Sequence, residues 1–193
     1  MNTNLSQSIV STESNNAEPV ISQNLKHSSL FAAYDRIIAL LNDCAAPLPP
    51  FLFRLILAYE FWEAGMMKYS GENWFSHITF PLPFSLLSSD MLWALGTWIE
   101  IIGAIALLLG LGTRFFSLAL IILTIVAINT VHWPAEWNTL AELWQGYAIS
   151  DKGHGNFKLP LLYLIMFMPL LFNGAGKWSL DYVLAQYRQN PKK

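Results

Sequence analysis

Apolar residues in this chain collect into four long runs, preceded by a polar stretch and separated by loops rich in aromatic or charged residues. The runs cover about 51–69 (FLFRLILAYEFWEAGMMKY), 91–111, 115–131 and 159–172. A helix that crosses a bilayer needs about 20 residues at a rise of about 1.5 Å each. The second and third runs meet that length. The fourth is slightly short, and Pro160 and Pro169 predict a capped start and a kink or early end. The first is long enough but carries Arg54, Glu60 and Glu63; beside three plainer runs it reads as a span whose charges find partners inside a bundle.

Upstream, residues 30–41 place Leu30, Tyr34, Ile37, Ile38 and Leu41 on one helical stripe, with Asp35 and Arg36 off it. Two readings fit equally: a helix lying on the membrane, or one packed on the bundle. Pro47, Pro49 and Pro50 then break the chain. Residues 1–29 are rich in Ser, Asn and Gln; they lack the basic and apolar regions of a secretory signal and read as a disordered tail. The expected fold is all-α. It is a four-transmembrane-helix bundle with amphipathic interfacial helices before span 1 and between spans 3 and 4. Its organisation is a tail (1–29), an amphipathic helix and Pro-rich linker (30–50), a membrane domain (51–184) and a basic C-terminal tail (185–193).

The loops extend this picture. Residues 74–84 (WFSHITFPLPF) mix aromatics with Pro81 and Pro83, as a segment at headgroup level would. In 133–148, Trp133, Trp137, Leu140 and Trp144 recur at spacings of four and three, which predicts an amphipathic helix on the outer surface, either a lid or an aromatic anchor. Basic residues set the orientation. One side collects Lys26, Arg36, Arg54, Arg114, Lys177, Arg188, Lys192 and Lys193, the other only Lys68, Lys152 and Lys158. That bias favours an inner-membrane protein with both termini in the cytoplasm.

Composition agrees and excludes several classes. Only 12% of the 193 residues are charged and 54% are hydrophobic, where a soluble domain carries about 25% charged residues. Lipid is therefore the expected partner of most of the surface. A net charge of −2 gives no basic footprint for nucleic acid. Cys44 is the sole cysteine, so no internal disulfide, CxxC pair or cysteine zinc site can form.

The chemistry lies in ionisable residues at bilayer depth, which cost about 2.5–3.5 kcal/mol each to insert and so face inward toward partners. From the edge at Phe51, Glu60 lies roughly 13 Å and Glu63 roughly 18 Å deep, and Glu100 on the descending second span roughly 21 Å. Similar depth predicts that Glu63 and Glu100 adjoin and share a proton. Lys68 and His132 lie a turn or two further out, Asn129 closes the third span, and Arg54 near the inner edge snorkels or reaches Glu60. One reading is an outward-opening polar pocket of Glu63, Lys68, Glu100, Asn129 and His132, fit for a proton, a metal ion or a quinone head. The other is an ion-pair network that holds the helices in register.

Intrinsic redox cofactors are not expected. A bis-histidine haem needs two histidines at membrane depth and only His132 qualifies; CxxCH and an iron–sulfur cysteine set are both missing. No histidine–carboxylate set has diagnostic metal spacing, so no metal site is assigned. No GxSxG, P-loop or HExxH occurs, which leaves enzymatic activity open and without a catalytic residue.

Several short features lie in a fixed order. Arg54 opens the first span, and Gly65 and Lys68 close it. Glu100 sits in the second, which exits through Gly110-Leu111-Gly112-x-Arg114. The fourth run ends in GxGxWSLD (Gly174, Gly176, Trp178, Ser179, Asp181). From about Phe51 to Leu184 this pattern resembles the DoxX family of small four-helix bacterial membrane proteins. The resemblance implies a membrane component of a redox, metal-stress or oxidative-stress system. The family takes its name from a subunit of an archaeal thiosulfate:quinone oxidoreductase, so quinone is the expected diffusible cofactor and Arg54 joins the candidate polar residues. The alternative is a non-catalytic scaffold or transport-assisting protein that recruits a peptide or soluble enzyme through its outer loops. A third reading is a proton-coupled carrier using Glu63 and Glu100, which four spans per chain would realise as a homo-oligomer.

Overall fold

The computed structural model describes residues 29–134, 136–145 and 156–189, and every described regular element is helical. The chain divides into two units, Met1–Asp43 and Cys44–Lys193. The predicted amphipathic segment forms α1 (Ser29–Ala45), which belongs to the first unit as far as Asp43 and whose Phe31, Tyr34, Ile37 and Leu41 stand exposed. The rest of the expected 1–29 tail lies outside the described residues.

The second unit holds the bundle. Helix α2 (Leu48–Ser70) starts earlier than the prolines suggested, because Pro49 and Pro50 fall in its first turn, where a missing N–H costs nothing. Helix α3 (Ser89–Leu109) begins at Ser88, whose hydroxyl accepts from the Met91 N–H (3.3 Å), with Asp90 in the first turn complementing the helix dipole. It ends at Gly110 in the left-handed conformation (φ 66°), where the Leu111 N–H returns to the Ala106 carbonyl (2.9 Å). A side chain at Gly110 would overlap the Arg54 guanidinium, so glycine is required there twice over.

Helix α4 (Thr113–Ala127) follows at once and opens at its far end into a π-turn (Ile128–His132). Within the expected 133–148 amphipathic helix, only α5 (Leu140–Gln145) is helical among the described residues; residues 135 and 146–148 lie outside them. Thr139 and Glu142 cap the N-terminus of α5, the hydroxyl accepting from the Glu142 N–H (3.2 Å) and the carboxylate from the Asn138 N–H (2.7 Å). Helix α6 (Lys158–Asn173) keeps Pro169 inside it and stops at Gly174. Helix α7 (Leu180–Gln189) is the last; the remainder of the basic tail, 190–193, is outside the described residues.

Helices α2–α3, α3–α4, α4–α6 and α6–α2 pack pairwise, closing a ring. Leu57, Ala58 and Phe61 of α2, Ala104 and Leu107 of α3, Leu120 and Ile121 of α4, and Phe167 and Leu170 of α6 fill its centre. The outside is equally apolar. Trp98, Ile102 and Ile105 of α3, Leu118, Ile122 and Ile125 of α4, and Ile165 and Met168 of α6 stand exposed. Helix α3 and the continuous Thr113–His132 stretch are long and apolar enough to cross a membrane (mean hydropathy 2.0 and 2.1), with 44% and 22% of those windows buried. Apolar surface on that scale is stable against lipid and not against water, so the protein is membrane-integral. Helix α2 carries too many charges, and α6 is too short at 16 residues, to qualify by composition and length alone.

Candidate functional site

One face of α2 organises the polar interior. Arg54, Leu57, Ala58, Phe61, Gly65 and Lys68 recur at spacings of three and four, a single helical stripe with a cation at each end. The two ends do different things.

At the N-terminal end of the stripe, Arg54 is 1% exposed. Its Nη1 donates to the Leu107 carbonyl (3.2 Å) and its Nη2 to the Trp178 carbonyl. The guanidinium therefore adds a second donor to the Leu107 carbonyl, which also accepts from the Gly110 N–H (3.1 Å), and ties α2 to the end of α3 and to the segment before α7. Asp181 does the reciprocal work for α4. Its carboxylate accepts from the Gly112 N–H (2.7 Å) and the Thr113 N–H (2.9 Å), while its own N–H donates to the Gly110 carbonyl (2.9 Å). Helix α4 begins at a glycine, which has no capping side chain, and receives its cap from 69 residues downstream. The Gly110–Arg114 and Gly174–Asp181 motifs thus form one lock at one end of the ring. Arg54 belongs to that lock and does not line the cavity described below. The expected contact with Glu60 is not made; Glu60 instead accepts from the Tyr163 hydroxyl.

At the C-terminal end of the stripe, Lys68 Nζ lies 2.7 Å from both carboxylate oxygens of Glu100. Glu100 is 2% exposed, and the Lys68 side chain 17%. Gly65 makes this pair geometrically accessible. A Cβ at that position would lie 2.7 Å from Ile101 Cγ1 and 3.2 Å from Glu100 Cβ, so only glycine lets α2 and α3 approach closely enough one turn below Lys68.

The ion pair forms one end of a cavity of about 330 Å³. Its walls are apolar side chains of α3 and α4, among them Leu95, Ile99, Ile122 and Val126, and its cover is the segment after α2. There a short 3-10 turn (Phe75–His77) seats Phe75 edge-on against Trp74 and Trp93, with ring centroids 5.0 Å apart in each case, and beside Phe80 at 5.1 Å. Asn73 fastens this cover to α3: its amide donates to Asp90 (2.6 Å) and its side-chain oxygen accepts from the Phe75 N–H (3.0 Å).

The π-turn completes the site. A π-turn advances less rotation per residue than an α-helix, which brings Val131 and His132 back toward the cavity side. Thr130, Val131 and His132 all line the cavity, and His132 Nδ1 is bonded to Asn156 Oδ1. With Nδ1–H as donor to that oxygen, Nε2 is the remaining acceptor.

Lys68, Glu100 and His132 are therefore brought together, while two other candidates are not. Asn129 is exposed and does not line the cavity. Glu63 is exposed and lies with Glu60, Phe61, Met67 and Tyr163 in a separate crevice of about 160 Å³, so the expected Glu63–Glu100 pair does not form. Depth along the helix predicted that pair; rotation about the helix forbids it, since Glu63 lies nearly opposite the Gly65–Lys68 stripe. Sequence reasoning missed the cover. Phe75 and Phe80 gave only an aromatic-loop signal, with nothing to mark that they fold over α3. It also missed Tyr163 as the partner of Glu60.

Fold and site together define a small membrane-integral helical protein with a polar lock at one end and an ion-paired apolar cavity toward the other. Residues 50–133 match the DoxX family. An uncharacterized protein of Haemophilus influenzae is 38% identical over 135 residues, covering 69% of this chain and 81% of that relative. A second uncharacterized protein of the same organism is 29% identical over 147 residues, 73% of this chain and 96% of its own length. No solved structure matches the chain. The chain belongs to the DoxX family.

Proposed function

We propose that this DoxX protein is a four-span component of the bacterial inner membrane, with both termini in the cytoplasm, that serves a redox or oxidative-stress system by binding a quinone in the cavity. The observation that carries this reading is an apolar cavity that ends on a buried, net-neutral ion pair. About 330 Å³ lies in the range of small-ligand sites and suits a substituted ring rather than a large cofactor. Apolar walls favour a lipid-soluble molecule. Lys68 has three N–H groups and Glu100 accepts two, leaving one donor for a ring carbonyl. The pair carries no net charge, which favours an uncharged head over an ionised one.

The four-span topology draws support from the closed ring and from the bias of Lys and Arg toward the lock end. In this topology Glu63 stands exposed at hydrocarbon depth, which favours a protein neighbour or a second copy over that face.

The test is titration of the purified protein with a short-tailed ubiquinone analogue, followed by quenching of tryptophan fluorescence. Saturable binding that weakens about tenfold in Lys68→Met, the worth of one charge-assisted hydrogen bond, is the expected result. His132→Ala is expected to weaken it less. Lack of binding, or binding indifferent to both substitutions, would overturn the proposal.

A further inference from the structure

Helix α7 plays no part in the cavity, yet its sequence and attachment are specific. At about 100° per residue, Leu180, Val183, Leu184 and Tyr187 fall on one stripe, and all four are exposed. Tyr182, Gln186 and Gln189 occupy the other side, where Gln186 donates to the Tyr182 hydroxyl (2.7 Å), and Arg188 falls at the edge of the stripe. Water would leave such a stripe without compensation.

Where the stripe sits follows from the lock. The Asp181 N–H and carboxylate are bonded to Gly110, Gly112 and Thr113, the residues at which α3 ends and α4 begins. The N-terminus of α7 is thereby held at the level where the apolar belts of two long helices stop, which is the hydrocarbon boundary. Ser179 caps it there, accepting from the Tyr182 N–H (3.2 Å). Trp178, one residue earlier, is exposed and packs edge-on against Phe51 (5.5 Å), at the depth where tryptophan concentrates in membrane proteins.

We propose that α7 is an interfacial helix that docks on the leaflet at the lock end, its Leu180–Tyr187 stripe at the boundary of acyl chains and headgroups. Under the topology above this is the cytoplasmic leaflet, rich in anionic lipid. Charge selects a lipid surface over a second copy. Asp181 is consumed in capping α4, so the cations Lys177 and Arg188 flank the stripe, and Lys192 and Lys193 follow in sequence. A second copy docking through this face would set cation against cation; anionic headgroups complement it. The stripe also continues the exposed apolar belt of Leu109, Leu111 and Phe115 at the same end of α3 and α4.

The test uses the full-length protein with Cys44→Ser and single cysteines (Val183→Cys, Leu184→Cys, Gln186→Cys or Gln189→Cys) bearing a nitroxide. It is reconstituted in phosphatidylcholine vesicles with and without phosphatidylglycerol. Collision with oxygen, which partitions into lipid, is compared with collision with an aqueous nickel chelate. Labels at 183 and 184 are expected to favour oxygen several-fold, and labels at 186 and 189 to favour nickel. Removing phosphatidylglycerol is expected to narrow the contrast at 184. Nickel preference on both faces would place the helix in water and overturn the proposal. Exclusion of both reagents at 183 and 184 would mean a protein cover and would overturn it equally. An unchanged contrast without phosphatidylglycerol would overturn the anionic-headgroup part.

Discussion

Substituting Lys68→Met removes the only hydrogen-bond and ion-pair partner described for the Glu100 carboxylate while keeping the aliphatic stem that lines the cavity. Glu100 stays 2% exposed with its charge uncompensated. Breaking a buried pair from one side costs about 3–5 kcal/mol. The lysine side chain is 17% exposed, which places the cost near the lower end, about 3 kcal/mol. Adding Glu100→Gln removes the orphaned charge and is expected to restore most of the loss, leaving a coupling energy of about 2 kcal/mol between the two positions. Reversible unfolding in mixed micelles, with sodium dodecyl sulfate as denaturant and far-ultraviolet circular dichroism as the signal, measures both quantities. If Lys68→Met lies within about 0.5 kcal/mol of wild type, or the two losses simply add, the pair does not hold the bundle together and its proposed place in the cavity loses its basis.

Three further outcomes follow from the same contacts. Gly65→Leu drives side-chain atoms into Ile101 and Glu100 and is expected to cost about 1–3 kcal/mol in the same assay, and to abolish quinone-analogue binding by displacing Lys68. Asp181→Asn keeps size but gives up the charge on two N–H groups of α4; a loss of about 1–2 kcal/mol is expected, with faster amide hydrogen exchange confined to the first turn of α4. Arg54→Met removes the charged donor that joins the Leu107 and Trp178 carbonyls, the former keeping its bond from the Gly110 N–H, and about 1–3 kcal/mol should disappear. Its quinone-analogue affinity, measured in the surviving folded fraction, should stay near wild type, because Arg54 lies outside the cavity.

Much of the helical layout was legible because lipid imposes a simple rule on sequence, continuous apolar runs with few breaks. The stop of α3 was readable from the Gly110–Gly112 turn, whereas its start at Ser89, capped by Ser88, precedes the expected beginning of the run at 91. Two kinds of information were not in the pattern. One is rotation: counting residues from Phe51 gave the depth of Glu63, Lys68 and Glu100, but which faces which depends on the buried stripe that Gly65 defines. The other is distant chain. The cap of α4 comes from Asp181, the partner of Glu60 is Tyr163, and the cavity cover comes from Phe75 and Phe80; each depends on tertiary packing that a local reading does not reach. The π-turn was hidden for a related reason, because nothing in Ile128–His132 distinguishes a widened turn from an α-helical one.

The central claim is that hydrocarbon surrounds the whole ring, so that four helices cross and the Lys68–Glu100 pair is held inside. Cysteine accessibility in intact cells tests it most directly. With Cys44→Ser as background, single cysteines at Glu72, Asn156 and Lys177 are treated with a membrane-impermeant maleimide before and after lysis. Under the proposed topology, in which α2, α4 and α6 each carry the chain across, Glu72→Cys and Asn156→Cys should label in intact cells, and Lys177→Cys only after lysis. Labelling of Asn156→Cys and Lys177→Cys from the same side would show that α6 does not cross and would contradict the four-span bundle.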